Sequence, residues 1–219
     1  MRLTAAIFDM DGVLLDSNYI WRDLGPNYLR SHGLEPEEGL RRILQPLSME
    51  DTAVYFRTRY HIPRTDDQIV QDLTDIIRDE YTLRAPAKAG ADRLLALLKE
   101  HGIPMYVATA TDRVLAEAAL RRNGLLDYFQ GILTCAEVGA SKTSPKIYEE
   151  ALARLGCAKE DCVIFEDSLH AVRTASGAGF RVAAVYDSDS AAVQEEIRSL
   201  SEVWIPSYGE WFRQDGRIE

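Results

Sequence analysis

Two carboxylates one residue apart, Asp9 and Asp11, follow the apolar run Ala5-Ala6-Ile7-Phe8 and precede Gly12. In extended chain, positions i and i+2 project to the same side, so both acids would share one side of a strand's end. Like charges that close are unfavourable unless a cation or a shared proton compensates them. A strand that merely ended in a polar turn, as in Asn-Gly or Asp-Gly, would need only one acid. Other groups suited to the same chemistry follow later apolar runs: Thr109-Ala110-Thr111, then Lys142, then Glu166-Asp167. Carboxylates gathered at one point are the oxygen-rich surroundings of a hard divalent cation such as Mg²⁺. Asp9 can attack a phosphorus atom, while Asp11 can protonate the leaving oxygen and later take a proton from water. A threonine hydroxyl and a lysine ammonium can hold phosphoryl oxygens and offset their charge.

Taken singly, each group has a plainer use. Thr109 reads as a helix cap or a β-branched strand residue, and Lys142 as a solvated loop lysine. Glu166-Asp167 would serve as negative charge at a helix start. Their ordered placement after successive strands is what argues for a site. Apolar runs at 5–8, 104–108, 131–134, 162–165 and 181–185 read as strands, and 203–205 suits a last edge strand. Helical patterns separate them, which implies right-handed crossovers and a mostly parallel sheet of the α/β class. In such a sheet all carboxyl ends lie on one edge, so groups distant in sequence can converge there.

Residues 18–84 break this rhythm, with helical patterns and no buried strand. Ile20, Trp21, Leu24, Tyr28 and Leu29 recur at helical spacing. A second helix is expected over 37–44, with Pro36 at its first turn. Ser48 with Asp51 three residues on opens a third, ending near residues 61–63. Thr65 with Gln68 forms a capping box before the apolar face Ile69, Leu73, Ile76 and Ile77. Residues 84–90 read as a hinge. Beyond it, helices are expected over 92–101, from a Thr111 cap to Asn123, from Ser144-Pro145 to Gly156, and over 190–200.

Composition narrows the partners. The 219 residues are 46% hydrophobic and 27% charged, with a formal net charge of −10. That charge argues against nucleic acid and against an anionic membrane surface. The amino terminus has no signal-peptide pattern and no apolar run reaches membrane-spanning length, so a cytoplasmic protein is expected. Three cysteines, Cys135, Cys157 and Cys162, without a Cys-x-x-Cys pair, suggest reduced, buried thiols rather than a zinc site.

The chain resembles the haloacid dehalogenase superfamily. The resemblance rests on Asp9-Met10-Asp11-Gly12-Val13-Leu14, Thr109 after an apolar strand, Lys142 before a Ser-Pro helix start, and Phe165-Glu166-Asp167-Ser168. It implies a Rossmann-like core over residues 1–15 and 86–219 and a helical cap over 16–85. It further implies Asp9 as nucleophile and Asp11 as acid/base. Thr109, Ala110, Thr111 and Lys142 would bind the phosphoryl group, and Asp9, Asp11, Glu166 and Asp167 would hold Mg²⁺. Family members that break carbon–halogen bonds lack the second aspartate, which disfavours dehalogenation here.

Within the superfamily, Ala136-Glu137-Val138-Gly139-Ala140-Ser141-Lys142 and Thr109-Ala110-Thr111 resemble the β-phosphoglucomutase and phosphoglycolate phosphatase-like branch. Met49 stands where the mutases carry an arginine, and methionine cannot grip a second phosphate. Arg84 or Lys88 would have to substitute. The expectation is therefore a monomeric Mg²⁺-dependent phosphatase acting on a small phosphorylated metabolite. A sugar phosphate mutase is the alternative, and a phospho-accepting signalling domain is the non-enzymatic rival. Tyr19, Trp21 and Met49 are candidate specificity contacts on the cap, and His170 reads as a partly exposed helix residue.

Overall fold

The computed structural model describes residues 3–44 and 47–209 and divides into two compact units, Met1–Asp16 with Ala85–Glu219, and Ser17–Arg84. In chain order, strand β1 (Ala5–Phe8) leads into helices α1 (Asn18–Ser31), α2 (Leu40–Leu44), α3 (Met49–Tyr60) and α4 (Asp66–Asp79), the last continued by a π turn at Glu80–Arg84. The chain then alternates: α5 (Ala91–Glu100), β2 (Met105–Thr109), α6 (Arg113–Arg122), β3 (Gly131–Thr134), α7 (Cys135–Val138) and α8 (Lys146–Leu155). Strand β4 (Cys162–Glu166), α9 (Leu169–Gly177), β5 (Arg181–Val185), α10 (Gln194–Ser199) and β6 (Val203–Ile205) complete the described chain.

The strands form one parallel sheet in the order β3-β2-β1-β4-β5-β6. Strand β1 lies between β2 and β4, and the chain reverses its direction of winding there. That reversal opens a crevice at the carboxyl ends of β1 and β4, where open α/β sheets take their ligands. All four residues of β1 are fully buried, as a central parallel strand requires. Ile7, Ala108, Ile164 and Val182 join Tyr148 of α8 and Val172 of α9 in one apolar core. Phe8 and Phe165, paired in register, stack with ring centroids 4.2 Å apart. Sequence parity therefore sends Asp9 and Glu166 toward the side of the sheet that carries α8 and α9.

The inserted unit has its own core from Leu24 and Tyr28 of α1, Phe56 of α3, and Ile69 and Leu73 of α4. Ser48 accepts from the Asp51 amide at 3.0 Å, and Thr65 with Gln68 makes the reciprocal capping box. Gly25 permits the close approach of α1, since a Cβ there would meet Leu44 Cδ1 at 2.5 Å.

Several elements differ from the sequence reading. Helix α2 starts at Leu40 rather than at 37: Gly39 has φ +78°, and Glu37 is held by Tyr60, whose hydroxyl takes its amide at 3.0 Å. Asp112, not Thr111, caps α6, accepting from the Val114 amide at 2.9 Å. A single helix over 190–200 gives way to a 3₁₀ turn at Ser188–Val193 followed by α10, because the Asp187 side chain takes the Asp189 amide and starts a tight turn early. The hinge is not slack on its core side. Ala87 bridges Leu15, and the backbones of residues 14–16 and 86–88 exchange two hydrogen bonds, 3.0 and 2.8 Å long. Of the free cysteines only Cys162 is buried; Cys135 and Cys157 are half-buried. Among the described residues no helix is long and apolar enough to cross a membrane.

Candidate active site

Asp9 directly follows β1, and its amide donates to Phe165 O at 2.9 Å, which carries the β1–β4 pairing to the strand's end. Glu166 is the last residue of β4 and Asp167 the next in the chain. Lys142 arrives on the segment between α7 and α8. Its Nζ lies 2.5 Å from Asp9 Oδ1 and 2.6 Å from Glu166 Oε1. All four residues are buried, and one carboxylate oxygen each from Asp9, Glu166 and Asp167 lie within 4.8 Å of one another. Three of the predicted metal ligands thus meet with the predicted phosphoryl-binding lysine, though they span most of the sequence.

This group is short of positive charge. Three carboxylates face one ammonium, and burial, then Glu166, push the Asp9 carboxyl well above the usual range despite Lys142. Burial pulls Lys142 down, but Asp9 and Glu166 outweigh it, so the ammonium stays charged. Glu166 Oε2 is buried with no hydrogen-bond partner. An orphaned buried carboxylate oxygen, in an all-oxygen donor set with excess negative charge, fits a hard divalent cation.

Asp11 is not one of the three carboxylates that meet within 4.8 Å, but its charge adds to those that raise the Asp9 carboxyl. Asp11 is half-buried, and the Thr111 hydroxyl donates to its Oδ2 at 2.7 Å. Thr109 ends β2, next to β1, fully buried, and its Oγ1 accepts from the Thr111 amide at 3.0 Å. The hydroxyl proton of Thr109 is not used in that bond and can be donated to an anion. Ala110 between them is exposed. Thr111, expected on a phosphoryl group, is thus engaged with Asp11 through its hydroxyl.

The turn after Asp11 is fixed from two sides. Gly12 has φ +75°, a conformation costly for other residues. The Lys88 ammonium donates to Gly12 O, to Tyr186 O at 2.7 Å and to Asp187 Oδ2 at 3.1 Å. The buried Tyr208 hydroxyl donates to Val13 O at 3.0 Å. Lys88 is therefore committed to the core and cannot stand in for the mutases' arginine. Arg84 pairs with Glu80 at 2.7 Å inside the helical unit. In the same unit Tyr19 donates to Glu80 at 2.8 Å, and Trp21, half-exposed, donates to Tyr81 at 3.0 Å. His170 is an exposed residue of α9.

Sequence reasoning missed two contributors. Tyr148, which no motif in the sequence singles out, donates to Glu166 Oε1 at 2.7 Å. The short helix α7 is capped reciprocally by Thr134 and Glu137, and Thr-x-x-Glu is the capping-box signature that could have found it.

A doubly wound parallel sheet with a lysine-bridged carboxylate group at its switch point defines a Rossmann-like α/β core suited to phosphoryl chemistry. The profile of the haloacid dehalogenase-like hydrolases matches residues 3–179, and the chain belongs to that family, in its β-phosphoglucomutase and phosphatase branch. Hexitol phosphatase B of Escherichia coli (strain K12) is 28% identical over 188 residues, covering 82% of each chain. The bifunctional riboflavin kinase/FMN phosphatase of Arabidopsis thaliana is 26% identical over 222 aligned positions, an alignment that covers 95% of this chain but 58% of that protein. Among solved structures, CbbY from Rhodobacter sphaeroides in complex with phosphate superposes with a TM-score of 0.74 at 25% identity, covering 95% of this chain and 96% of its own.

Proposed function

We propose that the protein is a Mg²⁺-dependent phosphoric monoester hydrolase that acts on a small phosphorylated metabolite through a phosphoryl-aspartate at Asp9. The observation that carries this reading is Lys142 bridging Asp9 and Glu166 within a buried group that holds more negative charge than its ammonium offsets. Asp9, Glu166 and Asp167 would hold the cation, with Asp11 nearby. When bound, Mg²⁺ supplies positive charge that keeps Asp9 ionised and offsets charge on the phosphoryl oxygens.

In the first half-reaction a carboxylate oxygen of Asp9 bonds to phosphorus while the bond from phosphorus to the leaving oxygen breaks. Asp11, held by Thr111, gives that oxygen its proton. In the second, Asp11 takes a proton from water, the water oxygen bonds to phosphorus, and the bond to Asp9 breaks to release inorganic phosphate. The Thr109 hydroxyl, the Ala110 amide and the Lys142 ammonium hold the phosphoryl oxygens. Because these groups all come from the sheet-containing unit, we assign substrate selection to the helical unit, whose role is that of a cap. Relatives named for hexitol and carbohydrate phosphates favour a phosphorylated sugar or polyol.

The committed state of Lys88 and the Arg84–Glu80 pair weigh against the mutase alternative. Phosphorylated sugars, nucleotides and glycolytic acids assayed with and without Mg²⁺ test the proposal, with inorganic phosphate as the readout. Release of phosphate only with Mg²⁺ is expected. Conversion of a sugar 1-phosphate to its 6-phosphate isomer would reject hydrolysis in favour of the mutase, and a stable phosphoprotein without phosphate release would favour the signalling domain.

A further inference from the structure

Tyr148 lies on the buried face of α8, with no solvent exposure, so its phenol needs a protein partner. That partner is Glu166 Oε1, at 2.7 Å, the same oxygen that Lys142 Nζ reaches at 2.6 Å. The second oxygen, Oε2, is buried and has none. Two donors therefore converge on one oxygen, although sharing them would satisfy both. A buried acceptor left alone is costly, so the asymmetry calls for a further partner. Phenylalanine would fill the same space against Phe180, whose ring centroid lies 6.2 Å away, without the hydroxyl. Packing alone does not require tyrosine here.

We propose that Tyr148 is a positioning residue for cation binding: with Lys142, its hydroxyl fixes the plane of the Glu166 carboxylate so that Oε2 is presented as a ligand. This rests on the cation reading of the Asp9, Glu166 and Asp167 group. Lys142 is a flexible point charge shared with Asp9 and cannot by itself fix that plane. The rigid ring of Tyr148, held on α8, can.

The test uses the full chain with MgCl₂ alone, followed by titration calorimetry and by the rise in Tm over a chelator control. In Tyr148→Phe the dissociation constant for Mg²⁺ is expected to rise about tenfold or more. Phe180→Leu loosens the ring's packing and keeps the hydroxyl; it should lower Tm in chelator and leave Mg²⁺ affinity unchanged. Affinity in Tyr148→Phe equal to that of the parent would overturn the role of Tyr148 and leave the cation site standing. Equal weakening in both variants would assign the effect to core packing, and loss of the fold in Tyr148→Phe would assign the hydroxyl a structural role; either overturns the proposal. A parent chain that binds no Mg²⁺ would remove the cation reading itself, and this inference with it.

Discussion

Replacing Lys142 by methionine removes the ammonium that pairs with Asp9 and Glu166 while keeping similar length and volume. Its two contacts, 2.5 Å to Asp9 and 2.6 Å to Glu166, are both buried, so solvent screens neither. Breaking a buried ion pair from one side costs roughly 3–5 kcal/mol, because the remaining charges stay uncompensated. For a protein of this size that corresponds to a fall in Tm of about 10 °C in chelator. Mg²⁺ should recover more stability in the variant than in the parent, since the variant carries one more unbalanced negative charge. On the reaction path the lost contact is to charge that grows in the transition state. By comparison with loss of an oxyanion donor, kcat should fall about 10²–10³-fold. Differential scanning calorimetry with and without MgCl₂, and phosphate release from the parent's preferred monoester, measure both effects. Parent-like turnover, or a stability loss below about 1 kcal/mol, would refute the charge-balance reasoning.

Other residues give sharper local tests. Lys88→Met should destabilise the sheet-containing unit by about 3 kcal/mol in chemical denaturation, because Asp187 is buried and loses its ammonium partner. Thr111→Val deletes the donor to Asp11 and should lower kcat about tenfold, the worth of roughly 1.5 kcal/mol for a hydrogen bond to a charged group, with far less effect on KM. The Arg113 side chain holds Glu137 down to about 2. A depressed carboxyl contributes stability above its usual pKa and loses it as pH falls from that value through about 2. Glu137→Gln keeps the capping geometry and should flatten this acid limb in a Tm-versus-pH series. The change should stay below about 1 kcal/mol, since both partners are partly exposed.

Most of the sheet was legible because a buried parallel strand leaves an unbroken apolar run, and the helices between strands fix its direction. Asp9 and Glu166 were legible for the same reason: strand ends carry their residues to a common edge, and Lys142 follows on the segment after α7. Thr111 shows the limit. Its place beside Thr109 pointed to a phosphoryl group or a helix cap, whereas its hydroxyl goes to Asp11 and the cap falls to Asp112. Which of two adjacent oxygens faces a given amide is set by backbone torsions that sequence spacing does not specify. Lys88 misled in another way. From its place in the hinge it stood as a substitute for the mutases' arginine, yet two carbonyls and Asp187 from distant loops surround it. Glu37, held by Tyr60 23 residues away, stays outside the helix predicted to begin there, which starts at Leu40.

The decisive measurement is mass spectrometry of the acid-quenched protein after brief exposure to its preferred phosphate monoester in MgCl₂. A phosphoryl mass increment on the peptide carrying Asp9 is predicted in the parent, with no increment and no phosphate release in Asp9→Asn. Undiminished turnover in Asp9→Asn, or a phosphoryl group on another residue, would contradict the assignment of Asp9 as nucleophile.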